Sequence, residues 1–376
     1  MPQQNDPHSC IGLGKAELPT PALLIDLDLL EANIAKMAAH AKAVGINLRP
    51  HAKSHKCPEI AKRQLAAGAV GVCVATISEA EALVDAGIAN VLITSPMAGR
   101  EKISRLVQLT ARQPDTMAVV DNAIHAEQLN EAAGSAQVTL NVLMDIDPGM
   151  HRTGIPAGEG AVALVELISR QPHLRLRGLQ CYSGTTAHVV GNAARRAHSL
   201  QAMTPALELF AELRKRGFPV EIMSGGSTGT YNIDCTFPGM SELQVGSYVF
   251  MDIEYRDIGG KDGPVYQDFA HSLTVLSTVV SRSHADLATV DAGLKAFATD
   301  RQFGPEAKDI SGVTYHFGGD EHGILTLTRP SREIQLGDKL EFLVPHCDPN
   351  VNLYDRAFCI RGGRVEVVWP IVRGYR

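Results

Sequence analysis

The feature that most constrains this chain is an alternation in its first two-thirds. Short β-branched runs take turns with longer alanine-rich stretches. Strand candidates are 46–50, 70–75, 90–94, 116–121, 138–146, 174–181, 220–223 and 242–251. Helix-like segments such as 57–67, 78–86, 123–132, 160–170 and 194–216 separate them. The pattern Ser78-x-x-Glu81 has the form of a capping box, and Gly87 that of a helix stop. Eight strands, each followed by a helix, predict a closed (β/α)8 TIM-type barrel over an open sheet. A further strand, 22–28, with a helix over 29–44, precedes this set and falls outside the barrel. Beyond Gly263 the rhythm changes to strand runs at 272–281, 287–291, 323–327, 339–344, 357–360 and 365–368, without long helices. Such a segment predicts a mainly antiparallel β-domain at the C-terminal end. The expected division is 20–264 for the barrel and 1–19 with 265–376 for the β-strand domain.

Composition removes several function classes. The 376 residues carry a formal net charge of −6, so no basic field favours nucleic acid or an anionic membrane. No apolar run approaches the roughly 18 residues of a spanning helix, and the first residues lack the apolar core of a signal peptide. Seven scattered cysteines contain no Cys-x-x-Cys pair. This argues against a disulfide framework and for a reducing, cytoplasmic setting.

In such a barrel, chemistry collects at the C-terminal ends of the strands. Lys53 follows the first strand within Arg49-Pro-His-Ala-Lys-Ser-His-Lys56. Asp145-Ile-Asp-Pro-Gly-Met-His-Arg-Thr-Gly154 follows the fifth, Gln180-Cys-Tyr-Ser-Gly184 the sixth and Ser224-Gly-Gly-Ser-Thr-Gly229 the seventh. The glycine-dense turn lets backbone N–H groups approach an anion, and barrel phosphate sites often follow strands seven and eight. Gly246-Ser247 would form its other wall. An arbitrary lysine is a solvated loop residue. One at a strand end, facing a phosphate cradle, suits a Schiff base, and the pair suggests pyridoxal 5'-phosphate (PLP).

These motifs resemble the fold-type-III PLP enzymes of alanine racemase type. The resemblance is carried by Pro21-Ala-Leu-Leu-Ile-Asp26, Arg49 to Lys56 and Asp147-Pro-Gly-Met-His-Arg-Thr-Gly154. Glu242-Leu-Gln-Val-Gly-Ser-Tyr248, Val290-Asp-Ala-Gly-Leu-Lys295, Asp320-Glu-His-Gly323 and Pro345-His-Cys-Asp-Pro349 are similar to the D-threonine aldolase branch. The resemblance implies that Lys53 carries the cofactor. It sets Arg152 near the cofactor's phenolic oxygen or the substrate carboxylate, and packs Tyr182 against the cofactor. Ser227, Thr228, Gly229, Gly246, Ser247 and Tyr248 fall at the cofactor phosphate. Gln244 takes the place that faces the pyridine nitrogen, where alanine racemases carry arginine. His188 is the implied base, and Ser183 departs from the His or Gln common in relatives. His51 and His322 are further polar candidates.

A His and a carboxylate on one face of an extended segment suit a divalent ion, and the resemblance makes His346 and Asp348 ligands for Mn²⁺, Mg²⁺ or a similar metal. It also implies a homodimer. The expected reaction is retro-aldol cleavage of a D-3-hydroxy amino acid (D-threonine-like, D-phenylserine or 3-hydroxyaspartate) to glycine and an aldehyde. A D-serine or 3-hydroxyaspartate dehydratase on the same scaffold, and a non-catalytic PLP-binding protein, stay open as alternatives.

Overall fold

The computed structural model describes residues 7–372; the outermost ends of the expected β-domain, 1–6 and 373–376, lie outside the described residues. Eight parallel strands form one sheet in the spatial order Asn47–Leu48, Glu242–Leu243, Ile222–Gly225, Leu174–Cys181, Leu140–Ile146, Met117–Val120, Val91–Ile93, Val72–Val74. The sheet closes where the chain beyond Leu48 meets Val72–Val74: Val70 N–H donates to Leu48 O (2.8 Å), Cys73 N–H donates to Pro50 O (2.8 Å), and His51 bridges Cys73. Helices cover the outside and side chains fill the inside, so the strands are buried on both faces. All seven residues of Leu140–Ile146 are buried, so apolar residues fall on both faces of the strand (Val142, Leu143 and Met144 in succession) rather than alternating.

The second sheet has nine strands and is mainly antiparallel. Its core pairs Leu273–Ser281 with Ala22–Asp26, Lys339–Leu343 and Leu287–Val290; Ala22–Asp26 also lies parallel to Arg356–Arg361. Ala22–Asp26 thus belongs to this sheet, on the barrel side of the division drawn at residue 20, because only there do both its edges find strands. Helix Leu27–Val44 then carries the chain from sheet to barrel. Leu27, Leu30, Ile34, Met37 and Ala41 recur every three or four residues and are all buried. Full burial of each large member contributes about 2 kcal/mol over exposure. Asp26 caps the start by accepting from Leu29 N–H (3.0 Å), and Gly45 ends the helix at φ 72°, a left-handed turn suited to glycine. This helix shares one apolar core with the antiparallel sheet and with Leu48, Leu243 and Val245 of the barrel, which welds the two units under the first and last barrel strands.

Three local expectations change. The run expected as one strand over 242–251 pairs only as far as Val245, then turns at Gly246 into the single 3-10 turn Ser247–Val249. A Cβ at Gly246 would lie 2.5 Å from Ser54 Oγ, so any side chain where the last strand meets the Lys53 loop would have to displace that hydroxyl. The cap of Ile77–Asp85 sits two residues upstream of Ser78: Thr76 Oγ1 accepts from Glu79 N–H (3.3 Å) and Glu79 Oε2 from Ala75 N–H (2.8 Å). Ser78 and Glu81 bind Arg105 instead (3.0 and 2.9 Å). Helix Arg100–Arg112 and strands Glu306–Ala307 and Val313–Phe317 are further elements beyond the expected set.

Candidate active site

Lys53 stands on the 3-10 turn Ala52–Ser54, immediately past the point where the first barrel strand is pinned on both sides. Arg49 N–H donates to Leu243 O (3.0 Å) and His51 N–H to Val245 O (2.9 Å). The ammonium of Lys53 forms a close ion pair with Asp348, which lies just beyond strand Lys339–Leu343 of the other sheet. Asp348 also accepts from Ser247 Oγ at 3.4 Å. Burial opposes both charges, yet their mutual attraction prevails, raising the lysine and holding the Asp348 carboxyl well below the usual carboxylate range.

A cavity of about 230 Å³ opens beside this pair, walled by His51, Lys53, Thr94, Arg152, Gln180, Tyr182 and Gln244 among others. Residues from several barrel strands therefore converge on one space, as expected for the C-terminal mouth of such a barrel. The Arg152 guanidinium lies over the Tyr182 ring, 5.4 Å from its centroid. His51 shares a 3.0 Å hydrogen bond with Thr94 Oγ1; burial, then the Lys53 charge, push its pKa well down, so it is neutral near pH 7.

The two glycine-containing loops lie side by side, joined by Tyr248 N–H donating to Thr228 Oγ1 at 3.0 Å. Ser227 N–H is spent on Thr230 Oγ1 (3.1 Å), but among the described residues the N–H groups of Thr228, Gly229, Gly246 and Ser247 donate to no protein acceptor. Paired loops with uncommitted donors, next to a cavity that holds a lysine, fit a pyridoxal phosphate. The Tyr248 side chain does not face that space. Its hydroxyl accepts from Gln64 (3.1 Å) and its ring packs on Phe269, so only its backbone reaches the loops.

His188 lies on the β-domain side, outside the residues that wall the cavity. Its ring packs on Tyr255 (centroids 4.8 Å apart), and Nδ1 is 3.4 Å from Glu254 Oε1 without hydrogen-bond geometry. Burial lowers its pKa against the pull of Glu254, leaving a neutral imidazole. Arg301 holds the other oxygen of Glu254 (2.7 Å), and the neighbouring Asp300 contacts His346 Nδ1 (2.7 Å). That contact leaves Nε2 of His346 as the ring's outward donor atom, the arrangement by which carboxylates orient metal-binding histidines.

The segment is not extended throughout, as the sequence reading assumed: His346 caps the short helix Cys347–Val351, and Asp348 sits in its first turn. Among the described residues, no three His, Cys, Asp or Glu side chains are grouped to hold a metal. The donor set is one imidazole and one carboxylate. His322 lies on an exposed turn of the antiparallel sheet and does not wall the cavity. Ser183 is buried, with its hydroxyl 2.6 Å from Thr186 Oγ1. The sequence reading missed Gln180, Thr94 and Asp300 as site residues. Gln180 was visible as a polar residue at a strand end, whereas Asp300 lies in a loop with no local signal.

Two family models match in succession: "Alanine racemase, N-terminal domain" over residues 25–254 and "Putative serine dehydratase domain" over 272–360. A D-threonine aldolase of Arthrobacter sp is 38% identical, covering 96% of this chain and 94% of the relative. A 3-hydroxy-D-aspartate aldolase of Paracoccus denitrificans is 35% identical over 96% of this chain and 93% of the relative. The crystal structure of D-threonine aldolase from Filomicrobium marinum superposes with a TM-score of 0.91 at 40% identity, covering 96% of this chain and 97% of that one.

Proposed function

The chain belongs to the alanine racemase N-terminal family of PLP enzymes, and from that membership we propose that it cleaves D-3-hydroxy amino acids to glycine and an aldehyde. It is a carbon–carbon lyase of D-threonine aldolase type. The observation that carries the reading of its site is the Lys53–Asp348 pair. It sets the one lysine of the cavity against the carboxylate of the candidate metal motif, across the seam between the two sheets.

In this reading the N–H groups of Thr228, Gly229, Gly246 and Ser247 would hold the cofactor phosphate, and Lys53 would hold the cofactor through its amine. Bound PLP supplies the electron sink that makes carbon–carbon cleavage accessible. Arg152, a planar cation at the cavity wall, binds the substrate carboxylate or the phenolic oxygen, and Tyr182 packs beside it. His346 through Nε2, together with Asp348, holds a divalent ion such as Mn²⁺ or Mg²⁺, which would polarise the substrate hydroxyl as a Lewis acid. Neutral His188, with Nδ1 turned to Glu254, takes the β-hydroxyl proton at Nε2. As the Cα–Cβ bond opens, the aldehyde C=O forms and a proton delivered to Cα completes glycine. Identity to the aldolase relatives (38% and 35%) above that to a D-threo-3-hydroxyaspartate dehydratase of Delftia sp. (31%) favours this over the dehydratase reading.

We further read the protein as a cytoplasmic homodimer. All seven thiols are unpaired, which suits a reducing compartment, and the dimer rests on the resemblance. No helix among the described residues is long and apolar enough to cross a membrane.

The test is a panel of D- and L-3-hydroxy amino acids, assayed with and without chelator. The expected result is glycine plus aldehyde from D-isomers alone, lost on chelation and restored by Mn²⁺. Release of an oxo acid and ammonia would overturn the aldolase assignment, and cleavage surviving exhaustive chelation would overturn the metal.

A further inference from the structure

Three strand ends on the cavity wall are tied into one hydrogen-bonded line. Gln180 Nε2 donates to the Thr94 carbonyl (3.0 Å) and to Asp145 Oδ1 (2.9 Å). A carbonyl oxygen can only accept, so the first contact fixes which end of the Gln180 amide is nitrogen. Its Oε1 then faces the other way and accepts from Gln244 Nε2 at 3.2 Å. The second hydrogen on that nitrogen goes to Ser224 Oγ at 2.8 Å. Both donors of Gln244 are committed to protein, and the polar atom it has left to offer the cavity is an acceptor, Oε1. Asp145 is itself anchored by Thr153 Oγ1 (2.8 Å), so the line ends on a fixed carboxylate.

We infer that Asp145 and Gln180 are positioning residues that lock Gln244 as a hydrogen-bond acceptor for the ring nitrogen of bound PLP, keeping that nitrogen protonated. The inference rests on the cofactor site proposed above and adds the electronic state of the cofactor to it. Gln180 and Gln244 are 3% and 4% exposed, whereas the Lys53 side chain is 38% exposed. In PLP the ring nitrogen lies para to the ring carbon that bears the aldehyde group with which a lysine reacts. With Lys53 at the rim, the nitrogen is the end of the ring that reaches the buried glutamines.

An acceptor at that nitrogen stabilises its protonated form; a donor or a cation would stabilise the bare lone pair. The protonated ring withdraws electrons more strongly, which suits a reaction that leaves an electron pair on Cα. A freely rotating glutamine could satisfy either form. The line through Gln180 removes that freedom, because turning Gln244 over would set two carbonyl oxygens against each other and strand a buried amide.

The test is nitrogen NMR of the enzyme loaded with PLP isotopically labelled at the ring nitrogen, with the cofactor absorbance recorded on the same sample. The wild-type resonance is expected in the protonated range. Gln180→Met, which keeps the volume but frees Gln244, should move it downfield toward the unprotonated range without loss of the absorbance band. Gln244→Glu keeps an acceptor and should hold the signal in place. Gln244→Arg should move it downfield, and it replaces Gln180→Met as the informative variant if that one does not fold. A wild-type resonance in the unprotonated range, or Gln244→Glu losing the protonated signal, would overturn the inference. So would an unmoved signal in a folded Gln180→Met. Failure of the cofactor reading looks different: the wild-type protein would show neither a bound resonance nor a cofactor band.

Discussion

Arg49 and Lys53 stand four residues apart, and each meets a carboxylate from far along the chain, yet the two pairs do opposite work. Arg49 grips Glu242 with two parallel bonds, Nε to Oε1 at 2.8 Å and Nη2 to Oε2 at 3.1 Å, with both side chains 3% exposed. Its remaining nitrogen donates to Asn90 O at 2.7 Å. The planar fork thus joins the first strand to the last and to the loop before Val91–Ile93, and nothing in it can leave without stranding a buried charge. Lys53 offers a point charge on a flexible stem. Its partner Asp348 lies on the short helix that follows a strand of the other sheet, and its own side chain faces a cavity. One loop therefore supplies first a rivet that closes the barrel and then an amine that can be released. The difference between guanidinium and ammonium is the difference between the two roles.

Mutation separates the pairs. The largest effect is expected from Lys53→Ala: complete loss of the visible cofactor band after loading with PLP, and with it all cleavage; the thermal unfolding temperature of the cofactor-free protein should fall as well, since Asp348 is left without its counter-charge. A band that persists in this variant would remove Lys53 from the mechanism and with it the contrast. Arg49→Met should act on the fold and spare the band. It leaves Glu242 buried and uncompensated, which costs about 3–5 kcal/mol in urea unfolding, while protein that still folds keeps the cofactor band. A loss below about 1 kcal/mol would mean the fork contributes no more than an exposed pair.

Much of this was legible in the sequence, for reasons that differ by region. The run 174–181 read with the same bounds the structure has, alternating leucine with outward Arg175 and Arg177 before it becomes fully buried, and 323–327 did so in the antiparallel sheet. The run 242–251 misled because its apolar residues serve two purposes. Leu243 and Val245 line the barrel, whereas Tyr248 and Val249 pack in a turn under helix Leu27–Val44, and hydrophobicity alone does not mark where Gly246 bends the chain. Lys53 and the glycine loops stood out because strand ends in a barrel share one mouth. The Lys53–Asp348 contact did not, since 295 residues separate the partners and only the shared core of the two sheets brings them together. The contact between Asp300 and His346 was hidden because Asp300 lies in a loop that carries no pattern of its own.

The smallest expected effect concerns a third member of the same loop. His55 is fully buried; Nδ1 accepts from Cys57 N–H at 3.1 Å, and Nε2 has no hydrogen-bond partner. Burial pushes its pKa down from 6.5 to about 4. A folded value below the unfolded one means that the unfolded chain takes the proton first. The stability His55 permits is complete above about pH 6.5 and is lost as pH falls toward about 4, by about 3 kcal/mol at most. Asp145, Asp234 and Asp252 work against this, since burial raises each to about 6, and they favour the folded state as pH falls. The wild-type curve therefore mixes opposing terms, and the readout must be a difference. His55→Asn keeps an oxygen to accept from Cys57 and has nothing to titrate. Its stability deficit against wild type, measured by urea unfolding across the range, should be constant above about pH 7 and shrink steadily below it. A deficit that does not change between neutral pH and about pH 4.5 would mean that His55 takes up no proton on unfolding.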